Sequence, residues 1–391
     1  MACPARVTLR HMWYPEFKHF GLEEILSVLG GLMFIILVIY YFLAYWPVAA
    51  LKSVHSTATD SKEPVSVIVC ARNEDENLTE FLPKILTQEY GEYEVIVVND
   101  CSWDNTETVI DEFAKIFPNL KKITIKEDAY YKHGKKFAIM VGIKGAKYEN
   151  LVFTDADCFP ASNNWLTEMA TGFSSKKEIV LGYGAYIKSK GFLNTLIRFD
   201  AFTIALEYMS AAMKGKAYMG VGRNLGYKKA LFFKHKGFSS HYHINSGDDD
   251  LFVNEAATPE NVNVCISHDS ITYSKAKTKF ADWRRQKMRH LTTAPQYTAE
   301  SRLKIGFNFL LKYLFYMVLV VLFCFKGTVL VGLGLFFLKI IFQMIIFNKA
   351  AKKLNEPDLW LLAFVYEFVL LFVYPVFHIS KMFHKPNKWT N

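Results

Sequence analysis

The 391-residue chain has little of what staples a small secreted or zinc-bound domain. Its six cysteines are scattered and none forms a Cys-x-x-Cys pair. That spacing excludes a disulfide scaffold or a zinc ribbon, and Cys70, Cys101, Cys158 and Cys265 read as free thiols of a cytosolic domain. It also lacks a single-sign charged arm and any nucleic-acid recognition module, so no nucleic acid is expected as a partner. The net charge of +9 instead suits attraction to anionic lipid headgroups. The first apolar run has no clear cleavage site and is too long for a signal peptide, so an uncleaved anchor is expected.

What is present is unevenly spread. At 51% hydrophobic and 16% aromatic the chain is too apolar for an average soluble enzyme, and at 21% charged it is too polar for a pure membrane bundle. Charge concentrates between about Lys52 and Lys304, and apolar runs lie to either side. The runs are Ile25 to Leu51, Phe307 to Phe325, Val329 to Phe347 and Leu359 to Ile379. Each approaches the roughly 20 residues that cross a bilayer. Tyr40, Tyr41, Tyr45 and Trp46 suggest an aromatic belt at the end of the first. Lys349, Lys352 and Lys353 place their loop in the cytoplasm by the positive-inside rule, and with it the central domain. Lys381, Lys385 and Lys388 oppose this for four full spans, so the last run reads as tilted, re-entrant or interfacial. The expected organisation is an N-terminal segment (1–24), an anchor (25–51), a cytoplasmic catalytic domain (63–300), a membrane region of about three helices (307–379) and a tail (380–391).

Between Glu63 and Asn150 the pattern alternates. Val65–Ala71, Tyr93–Val98, Lys121–Ile125 and the run from Leu151 are β-branched and short, as strands buried on both faces are. Glu76–Gln88, Asn105–Phe117 and His133–Ala146 read as helices between them. This rhythm predicts an α/β fold with a mostly parallel sheet, whose ligands bind beyond the carboxyl ends of the strands. Arg72, Asn73 and Glu74 follow the first strand, Asn99 and Asp100 the second, and Asp155 and Asp157 the fourth. Asp155 and Asp157, at i and i+2, face one side. Two carboxylates so placed repel unless a cation neutralises them, and hard oxygen ligands suit Mg²⁺ or Mn²⁺. The bland alternative is a solvated turn.

These residues resemble the membrane-integrated family 2 glycosyltransferases of GT-A fold, over nearly the whole chain. Val69-Cys-Ala-Arg-Asn-Glu74 resembles the first-strand motif that borders the nucleoside. Val98-Asn-Asp-Cys-Ser-Trp-Asp104 resembles the segment whose carboxylate, here Asp100, contacts the base. Gly134-Lys-Lys-Phe-Ala138 resembles a Gly-Lys segment beside the nucleotide, which implicates Lys135 and Lys136. Asp155-Ala-Asp157 looks like the metal motif, with Asp157 the direct ligand. Gly222-Arg-Asn-Leu-Gly226 resembles the acceptor segment, through Gly222, Arg223 and Asn224. Ser246-Gly-Asp-Asp-Asp-Leu251 resembles the Glu-Asp motif of the catalytic base. Gln286-Lys-Met-Arg-His290 resembles the Gln-x-x-Arg-Trp motif, which implicates Gln286 and Arg289 at the diphosphate and His290 near the acceptor.

Two departures stand out. Aligned on Asp250–Leu251 the base is Asp248, the preferred register; aligned one residue later it is Asp249. His290 replaces the family's Trp. The resemblance implies an inverting transfer from a nucleotide sugar, a UDP-sugar foremost, to a lipid or lipid-linked glycan, in an integral membrane protein (of the inner membrane if bacterial). A processive polysaccharide synthase is the alternative within the class, and a non-enzymatic membrane scaffold the alternative outside it.

Simpler readings accompany each motif. The Asp triplet could cap a helix, Lys135 and Lys136 could be a solvated helix start, and Arg284, Arg285, Lys287 and Arg289 could face lipid headgroups. Phe192–Met213 reads as an interfacial helix in preference to core. Lys339 and Glu367, inside apolar runs, should face each other or snorkel.

Overall fold

The computed structural model describes residues 21–51, 63–127 and 134–383. The segment before residue 21, His133, Lys385 and Lys388 lie outside them. The described chain opens with α1 (Leu22–Ala44) and the short α2 (Trp46–Ala50). Then come β1 (Val65–Ala71), α3 (Asp75–Leu86), β2 (Tyr93–Asp100), α4 (Thr106–Ile116), β3 (Leu120–Ile125), α5 (Lys135–Gly145) and β4 (Asn150–Asp155). Shorter pieces follow: β5 (Cys158–Pro160), α6 (Trp165–Thr171), β6 (Ile179–Leu181), β7 (Gly184–Tyr186), the long α7 (Phe192–Met213), β8 (Leu225–Lys228), α8 (Lys229–Lys234), α9 (Asp250–Ala256), β9 (Val262–Val264), β10 (Thr272–Ser274) and α10 (Phe280–His290). Last are α11 (Ala299–Cys324), α12 (Val329–Lys353) and α13 (Ala363–Phe383).

A seven-stranded sheet runs β3-β2-β1-β4-β8-β6-β9, and a small one β5-β10-β7. The first four strands are parallel, as their unbroken β-branched runs predict. β8 enters antiparallel to both β4 and β6. Alternation along β1 builds both faces: Val67 and Val69 pack with Leu78 and Leu82, and Ile68 with Ile139 and Ile143. Register sets the site. Cys70 of β1 pairs with Asp155 of β4, and Ala71 with Asn99 of β2, so the three motif ends share one edge. The thiols of Cys70, Cys101, Cys158 and Cys265 are free, as expected.

Among the described residues, four helical segments are long and apolar enough to cross a membrane: α1, α11, α12 and Ala363–Lys381 within α13. The first is shorter than the apolar run. The helix breaks at Tyr45, two residues before Pro47, whose ring and missing N–H cannot continue the bond to the carbonyl four residues back. The aromatic belt is also corrected. Tyr41 and Tyr45 are 1% and 0% exposed and turn inward, where their hydroxyls donate to Glu367 at 2.6 Å and Glu207 at 3.0 Å. The last run becomes helical only at Ala363, after turns that follow Pro357, and continues through Pro375.

The interfacial reading of Phe192–Met213 is corrected as well. α7 is core, wedged between the sheet and the apolar helices, with Phe199 and Phe202 against Phe347 of α12. Lys339 and Glu367 face each other rather than snorkel: Nζ lies 2.5 Å from Oε1, and Lys339 also donates to Gln343 at 2.7 Å and Tyr316 at 2.9 Å. Removing one partner of a buried pair strands the other charge, at about 3–5 kcal/mol. Glu367→Gln is therefore expected to reduce the monodisperse protein recovered by size exclusion, and Lys339→Met combined with it to restore part of the loss. Full recovery of the single variant would contradict the pairing.

Candidate active site

One cavity of about 1440 Å³ opens beyond the carboxyl edge of the sheet. It begins at Cys70, Glu74 and Asp155, passes α9 and α10, and ends among Asn308, Lys312 and Glu367 of α11 and α13. Its position, outside β1 and β4 where the chain passes from one side of the sheet to the other, is where parallel sheets place ligands.

Lys135, first residue of α5, organises the polar end. Its Nζ lies 2.8 Å from Asp155 Oδ1 and 3.0 Å from Asp248 Oδ2. Burial disfavours the ammonium, but Asp155 and Asp248 outweigh it and hold its pKa well above the ordinary value. Burial likewise works against the Asp248 carboxylate, and Lys135 overrides it, so Asp248 ionises below the usual range. Asp249 differs. Burial, then the charges of Asp248 and Asp250, push its carboxyl up to about 7. It caps α9, accepting from Asp250 N at 2.8 Å, and accepts from Gly222 N at 2.7 Å. Gly222 permits that approach: a Cβ there would sit 3.3 Å from Asp249 Oδ2. Asp250 faces inward and accepts from Thr293 and Tyr297 at 2.5 and 2.7 Å. The helix-cap reading of the Asp triplet is thus met by Asp249.

Asp155, Asp157 and Cys158 bring their ligand atoms within 4.8 Å of one another. Burial and then the Asp155 charge raise the Asp157 carboxyl, a repulsion that a bound cation relieves. The two carboxylates fit a hard divalent ion. The Cys158 thiol, kept protonated by burial and the same two aspartates, does not.

Of the residues singled out in the sequence, the cavity gathers Glu74, Lys135, Asp155, Asp157, Gly222, Arg223, Asp248, Asp249, Gln286, Arg289 and His290. Asn73 and Asp100 form a shoulder beside it: Asn73 Oδ1 accepts from Trp103 N at 3.0 Å, and Asp100 lies 3.8 Å from Arg72. Two residues depart. Lys136 points away and donates to the carbonyls of His241 at 2.7 Å and Ile244 at 3.2 Å. Asn224 is fully buried, and its amide is consumed by Tyr183 O, Ser270 O and Trp165 Nε1. Consecutive residues of a helix or turn point different ways, which a motif match does not convey. Arg223 lies 4.2 Å over the Tyr186 ring, across Gly184, where a Cβ would overlap it. His290 is exposed toward the cavity; partial desolvation there, then the charges of Arg289 and Lys287, lower its imidazole pKa well below the usual range.

Sequence reasoning missed three features. Lys287 does not face headgroups; it pairs with buried Asp200 of α7. Arg198 of α7 pairs with Glu356 and Asp358 and, with Tyr183 OH at 3.1 Å from Glu356, fastens the α12–α13 loop to the cavity wall. Burial lifts the Glu356 carboxyl to about 7. Asn308 and Lys312 line the cavity; as polar residues one turn apart in an apolar run, they were open to the argument applied to Lys339 and Glu367.

Sheet order, strand-end carboxylates and an adjoining cavity are those of a GT-A type fold. Residues 66–235 match the family described as Glycosyl transferase family 2. It is 35% identical over 118 residues to the poly-beta-1,6-N-acetyl-D-glucosamine synthase of Staphylococcus epidermidis, covering 30% of this chain and 27% of that protein. It is 30% identical over 141 residues to glycosyltransferase AglE of Haloferax volcanii, covering 36% of this chain and 45% of that one. The chain thus spans less than half the length of these relatives. The mannosyltransferase PcManGT of Pyrobaculum calidifontis, solved with GDP-Man and Mn²⁺, superposes with a TM-score of 0.54 at 17% identity, over 88% of this chain and 98% of that one, and shares the fold.

The two lysines should separate experimentally. Lys136→Met strands two carbonyls and is expected to lower stability by about 1–3 kcal/mol, read as a lower midpoint of thermal unfolding. An unchanged midpoint would place Lys136 elsewhere.

Proposed function

We propose that the chain is an inverting, metal-dependent glycosyltransferase of the cytoplasmic membrane face, moving a sugar from a nucleotide sugar to a lipid or lipid-linked glycan. The observation that carries this reading is the convergence of Asp155, Asp157, Lys135, Asp248 and Asp249 at one end of a cavity whose other end reaches the apolar helices. A scaffold without chemistry has no use for a carboxylate held near neutrality beside a paired one.

Asp157 and Asp155 would hold Mg²⁺ or Mn²⁺; when bound, the ion offsets the charge of the leaving diphosphate. Arg289 and Gln286, one helical turn apart on α10, face the same space and suit the diphosphate oxygens. Asn73, Glu74 and Asp100 lie where the nucleoside would rest. Asp249 is the base. With a pKa of about 7 it is about half ionised at neutral pH and basic enough to take the proton of an attacking hydroxyl. Asp248, the register first preferred, is committed to Lys135 and positions it. Attack from the acceptor side, opposite the diphosphate, inverts the anomeric carbon.

A processive synthase is the second reading. It is favoured by the relatedness to the poly-N-acetylglucosamine synthase and by the continuity of the cavity with the apolar helices.

The test is nucleotide release in lipid nanodiscs over a panel of UDP- and GDP-sugars. Since the Asp249 carboxylate must be ionised, the rate should fall about tenfold per unit below pH 7 and level off above it, and Asp249→Asn should lose about 10²–10⁴-fold. A profile flat from roughly pH 5 to 8 would remove Asp249 as the base. Arg289→Ala should raise the donor KM about tenfold or more, the value of about 1.5–3 kcal/mol for a charged hydrogen bond; an unchanged KM would return Arg289 to the lipid surface.

A further inference from the structure

We infer that the bundle end of the cavity is a binding site for a neutral, hydroxyl-rich group, the saccharide part of the acceptor. Its role as acceptor rests on the transferase reading; its binding chemistry does not.

The site is built by two residues of α11 and one of α7. Asn308 and Lys312 lie one turn apart on α11, and Glu207 of α7 faces them. Asn308 is 9% exposed and lines the cavity. Its Nδ2 donates to Glu207 Oε1 at 2.6 Å, while its Oδ1 has no hydrogen-bond partner among the described residues. A buried carbonyl left unpaired costs about 1–3 kcal/mol, so a hydroxyl donor from a ligand is the natural complement. Lys312 donates to Tyr45 OH at 2.8 Å and lies 3.9 Å from Glu207 and 3.8 Å from Glu367.

Beside Asn308, Glu207 and Glu367 face Lys312 and Lys339, so those two ammonium groups are already matched by carboxylates; Arg302, which also lines the cavity, donates to Pro295 O at 3.4 Å. An acyl chain would cover these groups without bonding them, which is costly. Hydroxyls, which donate and accept, match a wall of carboxylate, amide and ammonium. Space allows it: about 1440 Å³ exceeds the roughly 300–1,000 Å³ of a site for one small ligand.

Saturation-transfer NMR on the full chain in nanodiscs tests this, without donor or metal, using soluble tetrasaccharides of glucose, N-acetylglucosamine and mannose, with polyprenyl phosphate and diacylglycerol as lipid probes. At least one tetrasaccharide should bind, and Asn308→Leu should weaken it about tenfold, the equivalent of 1.4 kcal/mol. If Asn308→Leu does not fold, Glu207→Gln carries the same direction. Three results would overturn the site: no tetrasaccharide binds, only a lipid probe binds, or folded variants bind as tightly as the parent. Saccharide binding lost in the variants, in a protein that releases no nucleotide from any donor, would support the site and overturn the transferase reading alone.

Discussion

One ammonium group holds the site together. Lys135 stands between the carboxylate that ends β4 and the one that precedes α9, so two distant parts of the chain meet over one charge. Without it, Asp155, Asp157, Asp248 and Asp249 would crowd one half-dry edge of the sheet with uncompensated charge. With it, ionisation is uneven. Asp248 is kept charged, while Asp249 is left to burial and to its acidic neighbours. A carboxyl with a raised pKa beside a committed neighbour is the outcome of that asymmetry.

The apolar helices are not merely an anchor. α10 is pinned to α13 by Trp283 against Phe377, centroids 5.2 Å apart, and to α7 by Lys287 and Asp200. The α12–α13 loop is fastened to the cavity wall through Arg198 and Glu356. Gln286 and Arg289 therefore hold their positions through contacts with apolar helices. Displacing those helices would displace the wall that suits the diphosphate.

The parallel half of the sheet was legible because β1, β2 and β4 are long enough to show unbroken β-branched runs. β6, β7, β9 and β10 have three residues each, too few for a period of two to appear, and the antiparallel entry of β8 has no local signature. Motif resemblance located the strand ends, Asp155, Asp157 and the Asp triplet. It could not say where side chains point: Lys136 and Asn224 sit in matching segments but turn inward to carbonyls and an indole. Tyr41 and Tyr45 read as membrane-interface residues because nothing local reveals that buried Glu367 and half-buried Glu207 await their hydroxyls. Asn308 and Lys312 were visible as polar residues in an apolar run, and only their convergence with Glu207 was not.

Such a site needs a counter-charge that the chain does not wholly supply. Lys135 serves Asp155 and Asp248, whereas on Asp157 the charges of Lys277 and Arg223 do not outweigh burial and Asp155. The most direct measurement is calorimetric titration of UDP- and GDP-sugars into the protein in nanodiscs, with Mn²⁺ or Mg²⁺ and then with chelator. The account predicts that one donor binds with metal and loses affinity at least tenfold without it, in line with charge-assisted coordination of about 1.4 kcal/mol or more. Equal binding with and without metal, or no binding by any donor, would contradict it.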